Sequence, residues 1–368
     1  MKKTLFVLAI MQGFALGASA QVAQSSPIET YAMVDLNLMR IKNGSLAPVS
    51  KMDGGTWNAS RFGFRGTKDI GDGLSAGFVL EAGLNADDGT GKTQLFNRRS
   101  TASLMGSFGE VRLGHDNAPN YFNLIYFEPY GGGGVASLIN LVQGGGTPTP
   151  LLSGAQTASR TDNAVSYFLP NTFGGVYGQV QVALKEDKPG YKHTGLRFGY
   201  ANSKLDTAIS TGSTDLDKGQ KFEIVDLGGK YNFGTFTLMG QYITSKTGLV
   251  SGLIANGGNT TTSVGIAIPY GKGEFRSSFA KAKGKDYFQG SDSTMKTVGY
   301  FHSFTKQVGL YASASNITNT GIASYAVYPG TANSAVTATT VNATGVKVNS
   351  NLAGKDSNGY EFGLRLIF

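Results

Sequence analysis

The chain closes on Tyr360-Glu361-Phe362-Gly363-Leu364-Arg365-Leu366-Ile367-Phe368, and the alternation in this stretch decides the fold. Tyr360, Phe362, Leu364, Leu366 and Phe368 are apolar at every second position, with Glu361, Gly363 and Arg365 between them. A period of two is a strand with one apolar and one wet face. A soluble domain rarely ends flush on an aromatic in mid-strand, because termini fray. In a closed barrel the last strand must pair with the first, so that no edge is left unsatisfied in lipid. Parity counted back from Phe368 puts Phe362, Leu364 and Leu366 toward lipid and Glu361 and Arg365 toward a lumen. Phe368 itself is expected to be a signal read by barrel assembly machinery.

The same pattern recurs upstream to Ile28. Ile28, Thr30, Ala32, Val34, Leu36 and Leu38 oppose Glu29, Tyr31, Asp35 and Asn37. Leu74, Ala76, Phe78, Leu80 and Ala82 oppose Ser75, Gly77, Glu81 and Gly83, and residues 176–184 repeat the alternation. Residues 194–200, 225–233, 236–242, 264–268, 275–279 and 308–314 behave alike. Connections alternate between short turns, as at Ser107-Phe108-Gly109, and longer polar stretches, longest near 117–159 and 316–358. That rhythm describes an all-β transmembrane antiparallel barrel of about sixteen strands, at roughly twenty residues per strand and connection. A soluble sandwich or propeller would also alternate, but without the long–short rhythm.

At the N-terminus Lys2 and Lys3 precede an apolar run from Leu5 to about Leu16, followed by Ala18-Ser19-Ala20. This is the layout of a secretory signal peptide, too short to span a bilayer. Residues 1–20 are therefore expected to be removed, leaving residues 21–368 as one barrel domain. Beyond Ala20 no apolar run reaches the ~18 residues of a membrane helix. Composition fits a barrel: 53 Gly, 17 Tyr and 22 Phe, with one Trp and no Cys. The absence of Cys excludes disulfides and thiolate metal sites. The formal net charge of +8 includes Lys2 and Lys3. The basic residues are scattered rather than run together, which argues against a nucleic-acid partner and leaves anionic solutes.

Several blocks carry a resemblance: residues 31–35 (YAMVD), 60–81 (SRFGFRGTKDIGDGLSAGFVLE), 96–114 (FNRRSTASLMGSFGEVRLG), 162–175 (DNAVSYFLPNTFGG) and 362–368 (FGLRLIF). In these the chain resembles the trimeric general porins of Gram-negative bacteria, in their β-proteobacterial form. The loops between the blocks match little, and Ser166 stands where relatives often carry a basic residue. The resemblance implies a sixteen-stranded barrel in the cell outer membrane and a homotrimer. It also implies a third extracellular loop folded inward, here between Gly114 and Arg160. The Gly131–Gly134 and Gly144–Gly146 runs suit a loop packed closely against a wall. The implied function is a water-filled channel for passive diffusion of small hydrophilic solutes and ions, weakly anion-preferring. No enzymatic activity and no cofactor are expected. The alternatives are a substrate-specific porin for an organic anion, or a barrel hydrolase with catalytic groups at its rim or outer face.

Selectivity in a wet pore comes from charge at the constriction. Phe62 and Phe64 facing out put Arg61 and Arg65 inside. Ala102 and Leu104 facing out put Arg99 inside, with Arg98 on the other parity unless a bulge re-aims it. Val111 and Leu113 facing out put Arg112 inside, and extending the strand of Val165 and Tyr167 backward puts Arg160 and Asp162 inside. Similarity to the family favours Arg61, Arg98 or Arg99, and Arg160 among these as the basic side, since arginine stays charged and offers several donors. Glu81, Asp116 and Glu128 are expected to form the opposing acidic wall. The bland alternative is that such charges only solvate the lumen or brace the loop. Gly89-Thr90-Gly91-Lys92-Thr93 lacks the first glycine of a phosphate loop, since Ala86 stands in its place. His115, His193 and His302 have no metal-ligand spacing.

Overall fold

Residues 28–54, 57–92, 94–142, 159–186, 192–250, 253–328, 339–341 and 347–368 are described by a computed structural model of the chain. The expected signal peptide, residues 1–20, lies outside the described residues, as does the Gly144–Gly146 run. The alternating segments are strands: β1 (Glu29–Asn43), β2 (Val49–Gly54), β3 (Arg61–Gly71), β4 (Leu74–Asn85), the two-residue β5 (Thr90–Gly91), β6 (Arg99–Gly106) and β7 (Gly109–Asn117). Two helices follow, α1 (Pro119–Tyr126) and α2 (Ile139–Val142). Then come β8 (Arg160–Phe168), β9 (Val176–Ala183), β10 (His193–Ala201), β11 (Leu205–Asp215), β12 (Lys221–Asn232) and β13 (Thr237–Val250). The chain continues through β14 (Leu253–Tyr270), β15 (Gly273–Asp286), β16 (Ser293–Ser303) and β17 (Val308–Asn319). A small hairpin, β18 (Thr339–Val341) with β19 (Lys347–Asn349), precedes β20 (Ser357–Ile367).

Consecutive strands pair antiparallel, and the sheet closes where β1 meets β20, from Met33↔Ile367 to Asn43↔Ser357. The other edge of β1 takes β2 over Leu36–Ile41 and β3 over Glu29–Met33. β2 and β3 are thus two halves of one stave, and β5 only extends the loop end of β4. The barrel has sixteen staves. Phe368 completes the seam, donating its backbone N–H to Ala32 O at 2.8 Å and accepting from Ala32 N at 3.1 Å. Closure leaves no free sheet edge, which is the condition for a sheet to stand in lipid.

The two faces are inverted relative to a soluble protein. Phe62, Phe64, Leu113, Val180, Phe198, Leu227, Phe275 and Phe362 are exposed on the outside, while Asp35, Asn37, Gln181, Asp226, Arg276 and Arg365 are buried inside. Large contiguous exposed apolar surface and buried polar groups together mark a lipid-facing exterior. Glu361 and Arg365 point inward, at 7% and 2% exposure.

Inside, the long loop after β7 lies along the wall from β10 round to β20. Glycines on the inner face of those strands give it room. A Cβ at Gly228 would stand 2.2 Å from Phe127 Cδ2, and one at Gly359 would stand 2.4 Å from Val327 and 3.1 Å from Val135. Tyr130 crosses Gly299 and donates its hydroxyl to Arg276 O at 3.0 Å. The Asn123 amide donates to Ala208 O and Asp226 O, both at 3.0 Å, which pins α1 to β11 and β12. Residues 320–328, which follow β17, turn inward as well. Ala323, Tyr325 and Val327 are fully or almost fully buried, and Tyr328 N donates to Asn140 Oδ1 at 3.3 Å. Two loops therefore fill one side of the barrel with an apolar cluster that includes Leu138, Leu141, Phe222, Ile224, Met295, Ile317 and Tyr325.

Candidate functional site: the pore constriction

The other side of the lumen, from β3 to β8, carries the arginines. Arg61 opens β3 on the inner face and lies 3.6 Å from Glu81. Glu81 accepts from Arg98 Nε at 2.7 Å and from the Tyr31 hydroxyl at 2.9 Å. Arg99 lies 3.3 Å from Asp116, which also accepts from Arg112 Nη1 at 2.7 Å. Arg112 is held further by both oxygens of Glu110, at 2.8 and 2.9 Å, and its guanidinium covers the Phe168 ring at 4.2 Å. Arg160 donates Nε to Arg98 O at 2.8 Å and faces the Tyr121 ring of α1 at 5.9 Å. Five guanidiniums, those of Arg61, Arg98, Arg99, Arg112 and Arg160, thus share this wall with three carboxylates, Glu81, Glu110 and Asp116.

Several expectations change here. Arg98 and Arg99 both join the cluster: Arg99 obeys the strand parity of β6, whereas Arg98 precedes the strand and is not bound by it. Glu81 and Asp116 stand among the arginines and do not form an opposing wall. Glu128 is only 1% exposed and does not line the lumen. Its carboxylate turns into its own loop and accepts from Gly132 N at 2.6 Å, Ser137 Oγ at 2.7 Å and Leu138 N at 3.0 Å. Burial pushes this carboxyl above the ordinary carboxylate range, against the pull of those donors. Arg65 is on the inner face but away from the cluster, in a half-exposed pair with Glu29 at 2.7 Å. Asp162 faces outward, because a bulge between Gly114 and Asp116, opposite a left-handed Asn163 (φ 54°), resets the parity of β8. There it meets His115 Nδ1 at 2.5 Å. Ser166, at the departure from the family pattern, is a buried inward hydroxyl that accepts from Gln181 Nε2 at 3.0 Å.

Some residues of the lumen escaped the sequence reading. Arg197 donates Nε to Asn123 Oδ1 at 2.7 Å and lies over the rings of Tyr177 (4.6 Å) and Tyr126 (5.3 Å). The outward parity of Phe198 and Tyr200 could have found it. Trp57 could not be found that way, since it sits in the break between β2 and β3. It lies 3.6 Å from the Arg365 guanidinium and edge-on to Phe301, with centroids 4.4 Å apart. The long loop has one further property. Between Asn117 and Arg160 the sole charged residue is Glu128, so α1 meets arginines through rings and no acid: Tyr121 toward Arg160, and Phe122 and Tyr126 toward Arg197.

A closed sixteen-stave barrel, lipid-facing outside and narrowed by an inward loop opposite an arginine wall, defines an outer-membrane channel. The chain belongs to the Gram-negative porins, whose family model matches residues 5–322. It is 30% identical over its whole length to the outer membrane porin protein 32 of Delftia acidovorans, all of which is covered. It is also 30% identical to an outer membrane porin protein of Bordetella pertussis, over 68% of this chain and 71% of that one. Among solved structures, the anion-selective porin from Comamonas acidovorans superposes with a TM-score of 0.77 at 27% identity, over 94% of this chain and 100% of that one. An outer membrane protein of Vibrio cholerae in its trimer form shares the fold alone, with a TM-score of 0.67 at 15% identity over 94% of this chain and 100% of that one. The protein is therefore a porin of the outer membrane, forming a water-filled channel for passive diffusion of small hydrophilic solutes and ions.

Proposed function

We propose that the channel prefers anions weakly and works as a homotrimer without enzymatic activity. One observation carries the preference: the arginine wall faces a loop with no accessible carboxylate. An anion at the narrow point meets Arg61, Arg98, Arg99, Arg112 and Arg160 on one side and aromatic rings on the other. Glu81, Glu110 and Asp116 neutralise part of that charge, which makes the preference weak rather than strict. Fixed guanidiniums stay charged at any working pH and hand an anion along several donors. The similarity to a porin titled anion-selective supports the same reading. Family membership supports the trimer, the dependence on barrel assembly machinery and the role of Phe368 in it.

The hydrolase alternative would use His115, Asp162 and the neighbouring Ser100, which share an outer groove. Both His115 ring nitrogens face oxygen acceptors, Asp162 Oδ1 at 2.5 Å and Asn97 O at 3.0 Å. Both nitrogens are thus directed at those oxygens and neither at Ser100, so general-base chemistry on that hydroxyl is not supported.

The test is planar-bilayer recording of the purified protein in a KCl gradient. Conductance in steps of three and a reversal potential on the anion side are expected. Arg61→Ala combined with Arg160→Ala moves the potential toward cation selectivity. An unchanged potential removes those arginines from the narrow point.

A further inference from the structure

The lumen holds a second basic station, away from the arginine wall. Alternation turns Tyr177, Arg197, Asp206 and Lys230 inward, since Gln179, Gly195, Ala208 and Gly228 share their parity on β9 to β12 and are buried. Tyr177 is the second residue of β9 and Asp206 the second of β11, so the group lies toward the short-turn end, which in such barrels is periplasmic. Helix α1 joins this station to the arginine wall. Its face against the barrel carries Pro119, Asn120, Asn123 and Leu124, which leaves Tyr121, Phe122 and Tyr126 partly exposed on the lumen side. Tyr121 faces Arg160 at 5.9 Å, whereas Tyr126 faces Arg197 at 5.3 Å and Lys230 at 5.8 Å. Between these ends the rings of Phe122 and Tyr126 stack, with centroids 5.9 Å apart and planes 12° from parallel.

Rings are a poor lining for a small inorganic anion, because a π face carries partial negative charge. They suit a solute that brings an apolar plane of its own. Arg197 also differs from the wall arginines in its partners. Its Nε donates to Asn123 Oδ1 at 2.7 Å and its Nη2 to the Tyr177 hydroxyl at 3.1 Å, and both acceptors are neutral. Arg61, Arg98, Arg99 and Arg112 instead pair with carboxylates. Two acids are close to the station. Asp206 is engaged by Lys230 at 3.4 Å and by the Tyr177 hydroxyl at 2.7 Å. Asp226 is 1% exposed, on the stretch of β12 that α1 covers through Asn123, and does not reach the lumen. Arg197 therefore keeps its charge for a passing solute.

We infer that Phe122, Tyr126, Tyr177, Arg197 and Lys230 form a binding station for aromatic carboxylates on the periplasmic side of the constriction. The inference rests on the anion preference proposed above and narrows it to a class of solute. The ring of such a solute lies offset on Phe122 and Tyr126, while its carboxylate passes from Arg160 to Arg197 and Lys230. Tyr121 to Tyr126 covers about 7.5 Å of helix axis, short enough for one benzoate ion to bridge. The charge of the solute is thus held at both ends of the helix and its ring in between.

The experiment records chloride current through the intact protein in planar bilayers, with potassium benzoate or potassium cyclohexanecarboxylate added as probe. Benzoate interrupts the current in brief closures and half-blocks at about a tenfold lower concentration than the saturated ring, because aromatic ring contacts contribute roughly a factor of two to ten each. In the double variant Phe122→Leu, Tyr126→Leu, which keeps apolar bulk on α1, that difference disappears. Lys230→Gln leaves α1 unaltered and weakens the block by either probe about fivefold, the worth of one nearby unit charge in water. Circular dichroism of the barrel confirms that both variants fold. Equal block of the wild type by the two probes overturns the proposal. So does a benzoate preference that survives the double variant, or a block that Lys230→Gln leaves unchanged. The wild-type reversal potential in a KCl gradient separates this proposal from the reading beneath it. A potential on the anion side without benzoate preference removes the station alone, whereas one on the cation side removes both.

Discussion

From β12 round to β20 the lumen is packed, whereas from β3 to β8 it is charged, and the two walls are built from different materials. On the packed wall Phe301 and Tyr311 stack, Trp57 meets both edge-on and Tyr130 tilts against Phe301, with Arg276 over Phe301 and Arg365 over Trp57. Small residues such as Gly228, Gly299 and Ala280 leave room for the two loops. On the charged wall each arginine is matched to a carboxylate, a backbone carbonyl or a ring. The difference teaches where a pore can store selectivity. Arg276 and Arg365 lie among aromatic rings, and Arg276 also bonds the Pro129 carbonyl of the loop, while Arg61, Arg98, Arg99 and Arg112 cluster around Glu81, Glu110 and Asp116.

The sharpest break in that comparison comes from Tyr130→Ala. Tyr130 is 2% exposed, lies against Gly299 and Phe301, and anchors the long loop through Arg276 O. Removing a buried aromatic of this size costs about 3–5 kcal/mol. The barrel ladder is untouched, so the loss falls on loop docking. Larger and noisier single-channel conductance is expected, together with a red shift in the emission of Trp57, the sole tryptophan. Unaltered conductance with intact barrel circular dichroism would show that the loop is held elsewhere.

Much of this was legible in the alternation. Period two assigns a face to any residue inside a regular strand, which is why Arg61, Arg99, Arg112, Glu361 and Arg365 could be aimed from sequence. The failures share a cause. Arg98 lies before its strand, Asp162 lies beyond a bulge at Asn163, and Glu128 lies in a loop, so none has a parity to read. Trp57 sits where a stave is interrupted. The docking of residues 323–327 beneath the mouth is non-local: it needs Gly359 and Asn140 opposite, and no periodic signal in the loop announces it.

Glu81→Gln sharpens the charged side. Glu81 lies between Arg61 and Arg98, so the change exposes a full unit of positive charge while keeping the shape. A unit charge near a permeating ion in water is worth about 1 kcal/mol, or roughly a fivefold rise in the anion-to-cation permeability ratio. The reversal potential should move opposite to that of the arginine variants. A shift in the same direction as those variants would mean that Glu81 positions the arginines more than it screens them.

The smallest effect belongs to Arg65→Gln, and it sets the lower limit of the charged wall. Arg65 and Glu29 have side chains 47% and 54% exposed, and such pairs contribute about 0–1 kcal/mol. Arg65 is four residues from Arg61 along β3, or about 13 Å. That exceeds the screening length of about 3 Å in 1 M salt but is close to the 10 Å of 0.1 M. The variant should therefore show a slight loss of anion preference in dilute KCl and none in concentrated KCl. The Arg61 and Arg160 variants should keep theirs in both, because an ion at the constriction passes within a few ångströms of those groups. A shift from Arg65→Gln that survives 1 M KCl would extend the constriction toward the short-turn end, and the wall opposite the loop would then be a ladder of sites rather than one cluster.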